Sequence, residues 1–104
     1  MKRGSIHWGE TQKRRPLIIL SPERRNLFAS DVLVIPCSTS ARRMSWHVPL
    51  GRGEAGLPQA CFAACEQIGV LSKELVDPEE LGLLSPARMR EVELALISAL
   101  GIQD

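Results

Sequence analysis

An apolar run caught between two prolines constrains this chain more than any other feature. Lys13-Arg14-Arg15-Pro16 leads straight into Leu17-Ile18-Ile19-Leu20, and Ser21-Pro22 closes the run. Pro16 breaks any helix and biases Arg15 toward an extended backbone. A short, β-branched apolar run bounded in this way predicts a buried strand. Three cations therefore stand at the mouth of a rigid element, with Glu10 just upstream. A guanidinium presented there, beside a carboxylate, suits work on phosphate.

The remaining segments predict a small sheet with one clear helix. Ser5-Ile6-His7-Trp8 reads as a first strand and residues 9–14 as a loop. Residues 21–30 read as a polar surface loop, and Val32-Leu33-Val34-Ile35 as a strand that Pro36 ends or places at an edge. Residues 38–45 form a polar connection carrying Arg42 and Arg43, and Trp46-His47-Val48-Pro49-Leu50 a fourth strand. Residues 51–58 are a glycine-dense turn. Residues 60–71 suit helix or strand, and Asp77-Pro78-Glu79-Glu80 suits a short helical turn. The last helix has an N-cap in Ser85, proline at its first position and Gly101 to stop it. Met89, Val92, Leu96 and Leu100 recur along it at helical spacing. Strands followed by one C-terminal helix indicate an α+β fold on a small, mostly antiparallel sheet or barrel.

With 104 residues, one domain spanning 1–104 is expected. A core this modest often gains from a partner subunit. No apolar run approaches a membrane span. Met1-Lys2-Arg3-Gly4-Ser5 has charge but no apolar stretch behind it, so no signal peptide is expected and cytoplasm is the default. Cys37, Cys61 and Cys65 lack the paired spacing of a zinc site, and their apolar surroundings predict buried hydrophobes rather than ligands. No metal or cofactor is implied. Net charge is +1, yet residues 1–52 carry +7 and residues 53–104 carry −6. That split predicts a basic face for a polyanion, unless the two halves intermix on the surface.

Several segments in order resemble the MazF/PemK family of toxin endoribonucleases. Lys2-Arg3-Gly4-Ser5-Ile6-His7-Trp8 is similar to that family's opening Arg-Gly-x-Ile-x-Trp strand. Arg15-Pro16-Leu17-Ile18-Ile19-Leu20-Ser21 is similar to its Arg-Pro-x-x-Val-Leu-Ser, and Val34-Ile35-Pro36-Cys37-Ser38-Thr39-Ser40 to its Val-x-Pro-x-Thr-(Thr/Ser). Val48-Pro49-Leu50, Cys65-Glu66-Gln67-Ile68 and Leu84-Ser85 with the final helix follow at sensible separations. The resemblance implies an SH3-like barrel of the CcdB/MazF/PemK type with a C-terminal helix, in which residues 60–71 become strand. It also implies a homodimer, and a cognate antitoxin whose acidic tail fills the RNA groove. The implied activity is metal-independent cleavage of single-stranded RNA to 2′,3′-cyclic phosphate and 5′-hydroxyl ends.

The same resemblance assigns the site. Arg15 matches the catalytic Arg, whose planar fork holds two phosphoryl oxygens at once. Ser38 matches the catalytic Thr, with Thr39 as its neighbouring alternative. Glu10 is either the base for the 2′-hydroxyl or a loop acid paired with Arg14 or Lys13, because the first loop is shorter than in relatives. Lys13, Arg14, Thr39, Arg42, Arg43 and Gln67 are RNA-binding candidates, with Arg24 and Arg25 on a further flanking loop. Trp8 and Trp46 read as core or dimer contacts, although Trp46 could stack a base. A two-histidine nuclease built on His7 and His47 has no support in the resemblance. A non-enzymatic toxin and an inactive RNA- or antitoxin-binding relative remain the alternatives.

Overall fold

The computed structural model describes residues 1–102. Seven antiparallel strands run in the order β4-β5-β3-β2-β1-β7, with β6 pairing β3 off that path. They are β1 Ser5–Glu10, β2 Arg14–Ile19, β3 Asp31–Ser38, β4 His47–Leu50, β5 Cys61–Ala64, β6 Gly69–Ser72 and β7 Val76–Leu83. A one-turn helix α1 spans Glu23–Asn26, and α2 spans Pro86–Leu100. The sheet is barrel-like and not closed, with β4, β6 and β7 each paired on one side only.

The apolar run 17–20 explains why the sheet has two buried faces. Ile18 and Leu20 join the main core beneath α2, with Ile6, Ile35, Leu50, Leu57 and Val92. Leu17 and Ile19 point the other way, into a smaller core with Val32, Val34 and Val76. Alternation along a strand sends neighbours to opposite faces, so a run apolar at every position must be covered on both. The helix α2 begins where Ser85 Oγ accepts a hydrogen bond from the Arg88 amide at 3.1 Å, and ends at Gly101 with φ +71°. It buries Met89, Val92 and Ala95, while Leu100 is exposed rather than inside.

Five expectations differ. The first strand runs on to Glu10, because Gly9 and Glu10 pair with Arg15 and Arg14, which leaves only Thr11, Gln12 and Lys13 in the turn. Residues 21–30 hold α1, locked by Asn26 Nδ2 donating to the carbonyls of Met1 at 3.0 Å and Ser21 at 2.9 Å. The strand expected over 60–71 breaks into β5 and β6 at a 3₁₀ turn, Cys65–Gln67. Residues 77–80 are strand, not helical turn: Asp77 and Pro78 fall inside β7, an edge strand where a missing N–H costs no ladder bond. Pro36 neither ends β3 nor marks an edge. It falls between the two partners of β3 on one side, β6 at residues 31–34 and β5 at Cys37 and Ser38.

A second 3₁₀ turn, Glu54–Gly56, presses backbone to backbone on β7. A Cβ at Gly82 would stand 2.4 Å from the Ala55 carbonyl, and one at Gly56 2.2 Å from the Leu81 carbonyl. Arg88 of α2 holds this turn from the other side, donating to both carboxylate oxygens of Glu54 at 2.6 and 3.1 Å. That two-pronged bond holds the Glu54 carboxyl below its usual value, against the opposing effect of burial.

Candidate functional site

The antiparallel pairing of β2 with β3 builds the site. Leu17 lies opposite Pro36, and carrying that register two residues along sets Arg15 opposite Ser38. Arg15 forms part of the wall of two separate cavities. The first, about 200 Å³, is lined by Trp8, Arg14, Ser38, Thr39 and Gln59 among others. The second, about 490 Å³, includes Thr11, Gln12, Pro36, Gln67 and Val70. The Nε of Arg15 is buried and has no hydrogen-bond partner among the described residues. A buried donor without a partner costs free energy comparable to a lost hydrogen bond. Such a group at the junction of two clefts is a place for an oxygen ligand.

The other candidates divide between wall and rim. Ser38 Oγ lies 3.2 Å from Ser40 Oγ and accepts from the Ser40 amide at 3.3 Å, so it makes a local turn as well as lining the cavity. Lys13, Arg14 and Thr39 line the first cavity and Gln67 the second. Arg14 stacks its guanidinium 5.4 Å from the centre of the Trp8 ring, and reaches Asp77 at 3.3 Å and Glu10 at 3.8 Å. Glu10 lines neither cavity: it is exposed, on the strand face it shares with Trp8, with Arg14 as its partner.

Arg42 and Arg43 are exposed on the loop that follows Ser38 and line neither cavity. Arg24 and Arg25 do not flank the clefts. The run from β2 through α1 to β3 puts them at the opposite end of the strands, where Arg25 bonds the Asp31 carboxylate at 2.6 Å. The two histidines are also apart, on β1 and β4 with three strands between them. His7 Nδ1 meets the Asp77 carbonyl at 2.8 Å and its Nε2 meets Ser5 Oγ at 3.0 Å, tying β1 to β7. His47 bonds the Arg42 carbonyl and Glu66.

Sequence reasoning missed Trp8, Pro58 and Gln59 as lining residues of the first cavity. Trp8 is half-buried there and absent from the core. Arg14, an expected RNA-binding residue, lies over its ring. Pro58 and Gln59 come from the end of the glycine-dense turn, and no local pattern marks them.

The three cysteines are free and buried. The neighbouring Cys37 holds the Cys61 thiol below its ordinary value, while Cys61 and burial together hold the Cys37 thiol well above it. Burial pushes the Cys65 thiol up to about 11. Among the described residues no group of three or more His, Cys, Asp or Glu side chains is placed to hold a metal ion. No helix there is long and apolar enough to cross a membrane.

Fold and cleft together define a class: a small barrel-like α+β domain with a cationic cleft at one end of its central strands. The chain belongs to the family of PemK-like, MazF-like toxins of type II toxin–antitoxin systems, whose sequence model matches residues 3–100. It is 28% identical over 88 residues to Endoribonuclease MazF1 of Mycobacterium bovis, covering 85% of this chain and 80% of that protein. It is 29% identical over 96 residues to Probable endoribonuclease MazF5 of Mycobacterium tuberculosis, covering 90% and 87%. Among solved structures, it matches an endoribonuclease in complex with its cognate antitoxin, from a mycobacterial species. That match has TM-score 0.85 at 26% identity and covers 100% of this chain and 98% of the other. The fold is shared with Mycobacterium tuberculosis toxin MazF-mt6, with TM-score 0.88 at 23% identity over 96% and 99% of the two chains.

Proposed function

We propose that this chain is an endoribonuclease toxin that cuts single-stranded RNA at short specific sequences, without a metal, by attack of a 2′-hydroxyl on the adjoining phosphate. The observation that carries this reading is Arg15, a guanidinium at the junction of two clefts whose buried Nε has no hydrogen-bond partner among the described residues. In this reading the scissile phosphate sits at the junction and the flanking nucleotides occupy the cavities. The fork of Arg15 holds two phosphoryl oxygens and strengthens its hold as charge builds on the phosphorane. Ser38, opposite Arg15, gives a hydrogen bond to the same phosphate when its local turn partner releases it. Lys13 and Arg14 track the RNA backbone, with Thr39 and Gln67 on the walls and Arg42 and Arg43 on the loop beyond. Glu10 orients Arg14 rather than taking the 2′ proton, because Arg14 stands between it and the cleft.

The products are a 2′,3′-cyclic phosphate and a 5′-hydroxyl. An antitoxin with an acidic tail silences the protein by laying carboxylates where the phosphates go, and the mycobacterial relative in complex with its cognate antitoxin supports such a partner. Leu94, Ile97 and Leu100 stay exposed on α2, which supports a homodimer. Action in the cytoplasm follows from a substrate that is messenger RNA. The test is incubation of the purified protein with single-stranded RNA in EDTA. Discrete fragments with cyclic-phosphate ends are expected, and an intact RNA pool would sink the reading.

A further inference from the structure

Two thiols line the cavity of Arg15 and Ser38, and the reaction above uses neither. Cys37 directly precedes Ser38 at the end of β3, and Cys61 opens β5. Across the ladder Cys37 pairs with Ala63, so Cys61, two residues earlier, lies diagonal to Cys37 on the same face of the sheet. The third cysteine is enclosed elsewhere, its Sγ 3.8 Å from the carbonyls of Ala63 and Val92, and it does not line the cavity.

We propose that Cys37 and Cys61 form a peroxide-responsive dithiol whose conversion to a disulfide disables the cleft. The cavity admits a small oxidant such as hydrogen peroxide to the sulfur of Cys61. Cys61, whose thiol the neighbouring Cys37 holds below its ordinary value, attacks one peroxide oxygen as the thiolate, breaks the O–O bond and becomes a sulfenic acid, and the departing hydroxide regains the thiol's proton and leaves as water. The sulfur of Cys37 then displaces the sulfenic hydroxyl, which takes up the Cys37 proton and leaves as a second water. In sum, two thiols and one hydrogen peroxide give one disulfide and two waters. A disulfide draws the sulfurs to about 2.05 Å, inside any thiol–thiol contact. The closure pulls the end of β3, and with it Ser38, out of register with Arg15.

The effect on cleavage rests on the function proposed above, whereas the cross-link itself does not. Reduced protein is treated with hydrogen peroxide, then read by intact mass, by peptide mapping and by RNA cleavage before and after dithiothreitol. Expected are a loss of two hydrogen masses, a Cys37–Cys61 linked peptide, and a cleavage rate at least ~10-fold lower that dithiothreitol restores. Cys37→Ala and Cys61→Ala are carried in parallel, each checked by circular dichroism, so that one misfolded variant leaves the other. In either, cleavage is expected to keep the same value before and after peroxide. Absence of the linked peptide overturns the proposal, and so does a linked protein that cuts RNA at the reduced rate. If the reduced protein cuts no RNA at all, the functional reading falls and the linked peptide alone decides the thiol pair.

Discussion

His47 Nε2 meets Glu66 Oε2 at 2.7 Å, while the other ring nitrogen of His47 faces the carbonyl of Arg42. Both partners are acceptors, so both ring nitrogens carry a proton when the two bonds are made. Burial alone would push the imidazole value down, but the Arg42 carbonyl and Glu66 outweigh it and hold it raised. A raised folded value contributes stability that is complete below the ordinary imidazole value, about 6.5, and lost as pH rises through the folded value. His47→Gln is therefore expected to lower the melting temperature most at acid pH, with the gap narrowing as pH climbs past neutrality. Glu66 is partly exposed, so the full effect stays within about 1 kcal/mol. A gap that does not change with pH would remove the imidazolium from this account.

Arg15 should be dispensable for folding and indispensable for cleavage. Its Nε is buried without a partner, so Arg15→Met replaces an unsatisfied donor by an apolar chain of similar length. The expected result is a melting temperature equal to or above that of the parent, with RNA cleavage down by ~10²–10³-fold. Arg15→Lys should recover little, since an ammonium lacks the fork. A melting temperature that falls by many degrees would instead make Arg15 a structural residue.

Glu10 separates a rim role from a catalytic one. It is exposed and pairs with Arg14 at 3.8 Å. Glu10→Gln is expected to slow cleavage by less than ~10-fold, where loss of a general base removes ~10²–10⁴-fold. The check is the single-turnover rate across pH. Disappearance of an acid-limb pKa in the variant would return Glu10 to the role of base.

The contact of the Glu54–Gly56 turn with β7 predicts a sharp cost for one methyl group. In Gly82→Ala the new Cβ would stand 2.4 Å from the carbonyl of Ala55, so backbone must move. A loss of roughly 2 kcal/mol or more is expected by thermal or urea unfolding. Gly51→Ala, whose nearest new contact is Glu54 Oε1 at 3.9 Å, should be close to neutral. Equal stability of the two variants would contradict the packing described.

What could be read in the sequence follows from how local each signal is. The strand at 17–20 and the helix from Ser85 to Gly101 are set by nearby prolines, caps and periodicity, and both are present. β7 was hidden because Asp77-Pro78-Glu79-Glu80 has no apolar alternation, and its strand state comes from pairing with β1, about seventy residues away. The break at Cys65–Gln67 was equally hidden, because β3 divides its pairing between β5 and β6. At the site, Arg15 and Ser38 were legible as a pair, and their meeting in one cavity needed the β2–β3 register. Gln59 and Pro58 reach that cavity only through the path of a turn, which no motif encodes.

The pairing of β1 with β7 also governs when the protein can begin to act. Trp8, a wall of the first cavity, stands on a strand whose second neighbour includes Leu83, opposite Ser5. Until residues 76–83 have left the ribosome, β1 is an edge strand, paired to β2 on one side and bare on the other. Contacts this distant in sequence form late. The strand that carries Trp8 is thus held on both sides only once a segment made far later in translation has joined it.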